Sequence, residues 1–415
     1  MRDDFQSFVH VGFVAPAPRI VSAVVAAVVA AAVAAVTPQR CAAVASTMRR
    51  KTMNRTDLLD IAGLSGRLRA LGANDRHLQH LLRTWVQALP LSRARRLPEN
   101  FLPAAVRSAW PGIAAELTSL ASLRSEHAGA DGSARLLIEL HDGQTVETVR
   151  LPRGGLCVST QAGCAVGCVF CMTGRDGLLR QLGSAEIVAQ VVLARRGPQG
   201  RAVNKVVFMG MGEPAHNLDA VLEAIDLLGT AGAIGHKNLV FSTVGGSRVF
   251  ERLPQGRVKP ALALSLHTTD ATLRAQLLPR APRISPAELV EAGEVYARQV
   301  GYPIQYQWTL LAGINDSDDE IDGITRLLKG RYAMMNLIPY NAVDGLDFRR
   351  PAPERAAAMA RALNQRGILT RLRQSAGQDV DAGCGQLRSR SRLLAPGPTR
   401  AAAGRREISI LPVIG

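Results

Sequence analysis

The sequence predicts an α/β protein: a partial or full (β/α) barrel, with a small helical domain ahead of it and a β-hairpin leading into it. Three observations carry that expectation. Apolar residues recur at helical spacing early in the chain; two short strand-like runs flank His141-Asp142-Gly143; and from Ser184 onward helix-like and strand-like segments alternate.

The first stretch stands apart. Ile20 to Val36 reads IVSAVVAAVVAAAVAAV, almost pure Ala and Val behind Arg19. It has three readings: a signal peptide, a short membrane anchor, or sequence upstream of a true start at Met48 or Met53. Ala is barely apolar and the run is at the lower length limit for a span. The later start is therefore preferred, and 1–52, with Cys41, is set aside as a leader. Residues 53–130 follow as a small basic helical domain. From Thr56 to Leu89, Leu58, Leu59 and Ile61, then Leu68 and Leu71, then Leu78, Leu81, Leu82 and Trp85 keep helical spacing, with Arg and His between them. A helical pattern broken by prolines continues from Pro98 to Leu123.

Residues 131–385 form the expected barrel. Arg135 to Leu140 (RLLIEL) and Thr145 to Leu151 (TVETVRL) make the hairpin. Helices are expected over Ser184–Arg196 and Leu218–Leu228, and near Ala287–Val300, Asp318–Leu328 and Pro353–Arg366. Strands are expected at KVVFMG (from Lys205), NLVFST (Asn238), ALALSL (Ala261), IQYQWT (Ile304), MNLIP (Met335) and LTRLR (Leu369). Repeated β-then-α units imply a parallel sheet, and functional residues belong where its strands end. Four strands do run into polar or Gly-rich clusters there: MGEPAHN, VGG, HTT and YN. The last segment, 386–415, is read as a flexible basic tail. Arg388, Arg390, Arg392, Arg400, Arg405 and Arg406 occur in it with no acid between Leu387 and Arg406.

Composition narrows the function. With 415 residues and 47% hydrophobic content, the chain can build a full enzyme-sized core. Six cysteines, three of them clustered, do not make a secreted disulfide framework, so a reducing compartment, the cytoplasm, is expected. A formal net charge of +16 points to a polyanionic partner, with nucleic acid the default. Only 4% of residues are aromatic, which argues against a stacking platform for long single strands.

The cluster itself is GCAVGCVFCMTG, with Cys164, Cys168 and Cys171 at C-x3-C-x2-C. Three thiolates leave one corner of a tetrahedral zinc site open, and a four-iron cluster also normally takes four ligands. A zinc site closed by a distant residue and three unrelated buried thiols are the alternatives. The spacing is the signature of the radical S-adenosylmethionine (SAM) superfamily, in which SAM itself chelates the fourth iron. Gly210, Gly212 and Glu213 just after a strand suit close backbone approach to a ligand and pairing with an amine such as that of SAM.

From Cys157 to Leu387 the chain resembles the RlmN/Cfr family of radical SAM RNA methyltransferases. The resemblance rests on VETV at Val146, CVSTQAGC, MGMGEP, FSTVG, LALSLH, NLIPYN and RLRQSAGQDVDAGCGQL. It implies that Cys164, Cys168 and Cys171 hold a [4Fe-4S] cluster, and that Gly212, Glu213, Ser242, Ser265, Leu266, His267 and Asn341 line the SAM site. It further implies that Cys384 takes a methyl group from one SAM as a thiolate nucleophile, and that a radical from a second SAM activates this methyl for addition to adenine. Glu147 then accepts the ring proton, and Cys157 attacks the Cys384 sulfur to release the product through a transient disulfide. The implied acceptor is carbon 2 of an adenosine in 23S ribosomal RNA, with transfer RNA a second target. Pro214 after Glu213 matches the carbon-2 enzymes rather than the carbon-8 ones. The implied partners are RNA and an electron donor such as flavodoxin or ferredoxin, with no membrane and a monomeric enzyme. Two rivals stay open: a radical SAM activase or cofactor-biosynthesis enzyme, which needs neither Cys157 nor Cys384, and a zinc-dependent nucleic-acid-binding module.

Overall fold

The computed structural model describes residues 60–90, 101–197, 202–343 and 345–389, all within the compact unit Leu58–Gly415. The leader at 1–52, Cys41 and the tail beyond Ser389 lie outside the described residues. The run from Thr56 to Leu89 forms two helices, α1 (Ile61–Ala70) and α2 (Asp75–Val86), the second opened by an Asn74–His77 capping box. Helix α3 (Ala104–Ser119) follows and carries Pro111 inside it. Leu64, Leu68, Leu81 and Val86 are fully buried, in the same core as the barrel helices. Polar ties fix the join: Ile61 N donates to Ser184 Oγ (2.9 Å), and Arg195 Nη1 donates to Val86 O (2.7 Å).

The expected helical pattern up to Leu123 ends early. Ala121–Ala128 is a strand, β1, paired antiparallel with β2 (Ala134–Leu140) from Ala121↔Leu140 to Ala128↔Ala134. Most of β1 is exposed, so it lacks the apolar alternation by which a strand is recognised, and its partner strand decides its conformation. The hairpin continues through β3 (Thr145–Leu151), which pairs with β4 (Gly155–Cys157). From β4 the sheet turns parallel: β7 (Lys205–Phe208), β8 (Leu239–Thr243), β9 (Ala261–Ser265), β10 (Ile304–Leu310), β11 (Ala333–Pro339) and β12 (Thr370–Leu372) follow in spatial order. The result is one ten-stranded sheet whose end strands, β1 and β12, do not pair, so the barrel is partial. A separate antiparallel pair, β5 (Gln161–Gly163) and β6 (Leu178–Gln181), stands beside it.

Helices α4 (Ser184–Arg196), α5 (Leu218–Gly229), α6 (Ser247–Arg252), α7 (Ala271–Leu277), α8 (Pro286–Val300), α9 (Asp318–Leu328) and α10 (Pro353–Gln365) complete the described elements. Strand β10 shows how the two faces divide. Tyr306 Oη donates to Val290 O of α8 (3.4 Å) and Trp308 Nε1 donates to Asn315 O (3.1 Å), so these side chains lie on the helix-covered face and Gln305, Gln307 and Thr309 on the concave one. Register then carries the concave face sideways: Gln307 pairs with Ser265 and with Asn336, and Asn336 with Arg371. A polar row thus crosses the hollow at one level. Apolar packing on the other face, with Phe208, Phe241, Tyr306 and Trp308 fully buried, supplies roughly 1.5–3 kcal/mol per large side chain.

The open side of the barrel is spanned by the chain after β12. Gly377 N donates to Asp131 Oδ2 (3.0 Å), Arg135 Nε to Val380 O (2.6 Å), and Ser389 Oγ to Thr145 O (3.0 Å). These bonds lay the segment that carries Cys384 against the hairpin.

Candidate functional site

The three-cysteine loop is closed at its neck. Strands β5 and β6 pair on either side of it, and Cys164 N donates to Gly177 O (3.0 Å). Within the loop Cys171 N donates to Cys168 O (3.0 Å), while Val169 N reaches Leu277 O at the end of α7 (3.1 Å). The loop also grips the Cys384 segment: Met172 N donates to Gly385 O (2.7 Å) and Thr173 Oγ1 to Leu387 O (2.6 Å). Val166, Phe170, Leu277, Leu278, Leu311 and Tyr340 form a small apolar cluster around the half-buried thiols. Burial there pushes the Cys164 thiol up to about 11 and raises Cys168 well above its ordinary value, reinforced by the other thiols and by Glu213. As bare thiols they stay protonated; a bound metal would replace those protons.

The donor set fits an iron–sulfur cluster better than zinc. The thiols lie close enough to feel one another's charge, yet among the described residues no three His, Cys, Asp or Glu side chains converge on one metal ion. A four-iron cluster takes each thiolate on a different iron, so convergence is not required.

Glu213 sits above the loop, 5% exposed, with Oε1 accepting from Ala215 N (3.0 Å) and Oε2 from Val244 N (3.0 Å). Burial pushes its carboxyl up to about 7, against a Thr243 hydrogen bond and these two amides. An ammonium ligand would reverse that shift. Gly212 has φ +101°, and a Cβ there would come within 2.6 Å of the Gln161 side chain, whose Oε1 in turn holds Glu213 N (2.7 Å).

At the end of β9, Ser265 is half-buried and Leu266 fully buried, and Ser242 stands half-buried near the end of β8. His267, 6% exposed, takes φ +64°, an uncommon conformation for a residue other than glycine. Its Nδ1 accepts from Thr309 N (3.0 Å), and burial, with the Arg274 charge, lowers its pKa to about 3. The ring is therefore neutral, with Nε2–H left as a donor. Asn341 Nδ2 donates to Ser375 Oγ (2.8 Å) and Cys384 O (3.0 Å), and its Oδ1 has no partner.

The two remaining described cysteines lie near enough for the charge of one to act on the other. Cys157 ends β4 and is 9% exposed; Cys384 lies on the spanning segment with its side chain open to solvent, though protein surrounds it. Each thiol is raised chiefly by burial. The Cys384 charge raises Cys157 further, whereas a Ser375 hydrogen bond and the Arg373 charge pull Cys384 back down. Cys384 is thus the easier of the two to ionise. Both are free thiols, so the expected disulfide is not formed in this state. Glu147 on β3 is wholly buried: Arg135 Nη1 donates to Oε1, and Arg388 N donates to Oε2 (2.9 Å).

Gln161, Arg274 and Ser375 touch these residues, and the charge of Arg373 acts on Cys384; none of the four was singled out in the sequence. Ser375 lies in the same QSAGQ run as the Cys384 motif, which could have pointed to it; Arg274 has no local signal.

Residues 158–327 match the Radical SAM superfamily. A "Probable RNA methyltransferase" of Methylibium petroleiphilum is 70% identical over 355 residues, covering 86% of this chain and 97% of its own. A protein of the same description from Pseudomonas aeruginosa is 68% identical over 330 residues, 79% of this chain and 94% of its own. Among solved structures, a radical SAM methyltransferase from Sphaerobacter thermophilus is 34% identical with TM-score 0.68, covering 80% of this chain and 98% of that one.

Proposed function

Because the chain belongs to the RlmN/Cfr-like family of radical SAM RNA methyltransferases, which work with a [4Fe-4S] cluster and SAM, we propose that it methylates carbon 2 of an adenosine through a methyl group carried on Cys384. The observation that carries this reading is the facing pair of free thiols, Cys157 and Cys384, brought to one hollow from β4 and from the segment after β12. A simpler radical SAM enzyme, such as an activase, has no use for them.

Carbon 2 of adenine is electrophilic, so a displacement from SAM cannot methylate it. The cluster and SAM supply a carbon-centred radical. Cys164, Cys168 and Cys171 hold the cluster; Glu213 pairs with the amine of SAM, and Gly212, Ser242, Ser265, Leu266, His267 and Asn341 line its site. Cys384, as thiolate, attacks the methyl carbon of one SAM: its S–C bond forms, the methyl–sulfonium bond breaks, S-adenosylhomocysteine leaves, and the thiol proton goes to solvent. Arg373 and the Ser375 hydroxyl favour that thiolate. Glu147 receives the proton from the ring as the adduct radical gives up one electron, for which the oxidised cluster would be the acceptor. Attack by Cys157 then makes the S–S bond and breaks the S–C bond; the electron pair stays on the methylene carbon, which takes up a proton to become the methyl group, and cellular thiols reduce the disulfide.

The RNA is 23S ribosomal RNA, with transfer RNA as a second target. The enzyme is a cytoplasmic monomer, and flavodoxin or ferredoxin is the electron donor. No described helix is long and apolar enough to cross a membrane. Nucleoside mass spectrometry of ribosomal and transfer RNA from a deletion strain tests the reading. Loss of 2-methyladenosine is expected; loss of 8-methyladenosine instead would move the target to carbon 8, and no change in any methyladenosine would reject it.

A further inference from the structure

Helix α7 supports the three-cysteine loop, since Leu277 O accepts the Val169 amide from inside it. One turn earlier stands Arg274, 3% exposed. Its Nη2 donates to Val244 O (2.7 Å) and to Ser265 O (3.1 Å), joining the ends of β8 and β9. Its Nε is buried with no hydrogen-bond partner, and Arg274 enters none of the ion pairs among the described residues. A buried guanidinium held only by neutral carbonyls is costly. Burial accordingly lowers its pKa. Arg280, three residues beyond the end of the same helix, is exposed and stands over the same loop: a Cβ on Gly167 would lie 2.3 Å from Arg280 Nη2. One buried cation on the supporting helix and one exposed cation against Gly167 therefore accompany a three-thiol loop set in an apolar surround of Val166, Phe170, Leu277 and Leu278.

Reduction of a cluster on three thiolates adds one electron to an assembly that already carries their negative charge. A fixed cation beside it in a low-dielectric pocket favours the reduced state, and net charge and hydrogen bonds to sulfur are known levers on cluster potentials. We propose that Arg274 is a positioning residue whose buried charge behind the three-cysteine loop raises the reduction potential of the cluster, with Arg280 adding a weaker push from the solvent side. This rests on Cys164, Cys168 and Cys171 being the cluster ligands.

The test is a redox titration of the anaerobically reconstituted full chain, read by the paramagnetic signal of the reduced cluster. Arg274→Gln should weaken reduction about tenfold, a shift of about 59 mV to more negative potential for one electron. Arg274→Lys, which keeps the charge, should stay within a few-fold of the parent, a result that a merely structural role would not give. If Arg274→Gln does not fold, Arg280→Glu decides, and should shift the potential in the same direction by a smaller, salt-dependent amount. An unchanged potential in the deciding variant, or an equal shift in the Gln and Lys variants, would overturn the proposal. A parent protein that binds zinc and no iron would instead reject the ligand assignment beneath it.

Discussion

Gly212→Ala puts a methyl group where the structure has no room. The backbone there has φ +101°, and the new Cβ would lie 2.6 Å from both Cβ and Cγ of Gln161 and 2.8 Å from its Oε1. Gln161 cannot step aside cheaply: it is fully buried, pairs with Gln181 in the β5–β6 ladder, donates from Nε2 to Gln181 Oε1 (2.8 Å), and holds Glu213 N. Left-handed backbone costs a residue with a side chain roughly 1–2 kcal/mol, and overpacking in a tight interior roughly 1–3 kcal/mol. The sum is about 2–5 kcal/mol if the backbone stays put. Where the loop yields instead, the displacement passes to Glu213, and the cost appears as lost SAM affinity. Urea unfolding of the apoprotein and calorimetric SAM titration of the reconstituted protein read the two channels. We expect a stability loss of about 3 kcal/mol, or at least a tenfold weaker SAM affinity, about 1.4 kcal/mol. Stability within 0.5 kcal/mol of the parent together with unchanged SAM affinity would refute the reasoning.

Burial of His267 gives a signed pH effect. Its folded pKa is depressed to about 3 from an unfolded value near 6.5, so its contribution to stability is intact above about pH 6.5 and is lost as pH falls toward 3, at up to about 1.4 kcal/mol per unit. His267→Asn, which tolerates positive φ and can keep an acceptor for Thr309 N, should flatten the pH dependence of urea unfolding between pH 6.5 and 5 by about that slope. Cys168→Ala should purify without the brown colour and without SAM cleavage, while circular dichroism shows the barrel still folded; retained cleavage would overturn the ligand assignment.

The parts of the molecule that were legible in the sequence share one property: the residues concerned are neighbours along the chain. The three cysteines lie in one loop, and the clusters after β7, β8, β9 and β11 are contiguous with apolar strands, so strand ends and ligand-bearing residues are visible together. Helices Ser184–Arg196 and Asp318–Leu328 begin and end where the residue pattern places them. What was not legible depends on contacts between distant residues. Strand β1 is held by β2 rather than by its own composition. The burial of Glu147 is set by Arg135 and by Arg388, which lies 241 residues away. Arg274 reads as an ordinary helical arginine until β8 and β9 bring their carbonyls to it. Asn336, 1% exposed with both amide atoms unpartnered, reaches the polar row of the hollow only through the register of β10, β11 and β12.

The claim that Cys384 carries the methyl group and Cys157 releases the product is tested most directly by comparing the two single mutants on a denaturing gel, followed by intact-mass analysis. With RNA, SAM and reductant, Cys157→Ala should gain a methyl group on Cys384 and then stall as a covalent protein–RNA complex, which nuclease digestion reduces to the protein plus a nucleotide mass. Cys384→Ala should be neither methylated nor linked to RNA. Loss of activity in both mutants with no adduct in either would contradict the account and leave Cys157 as a packing residue at the end of β4.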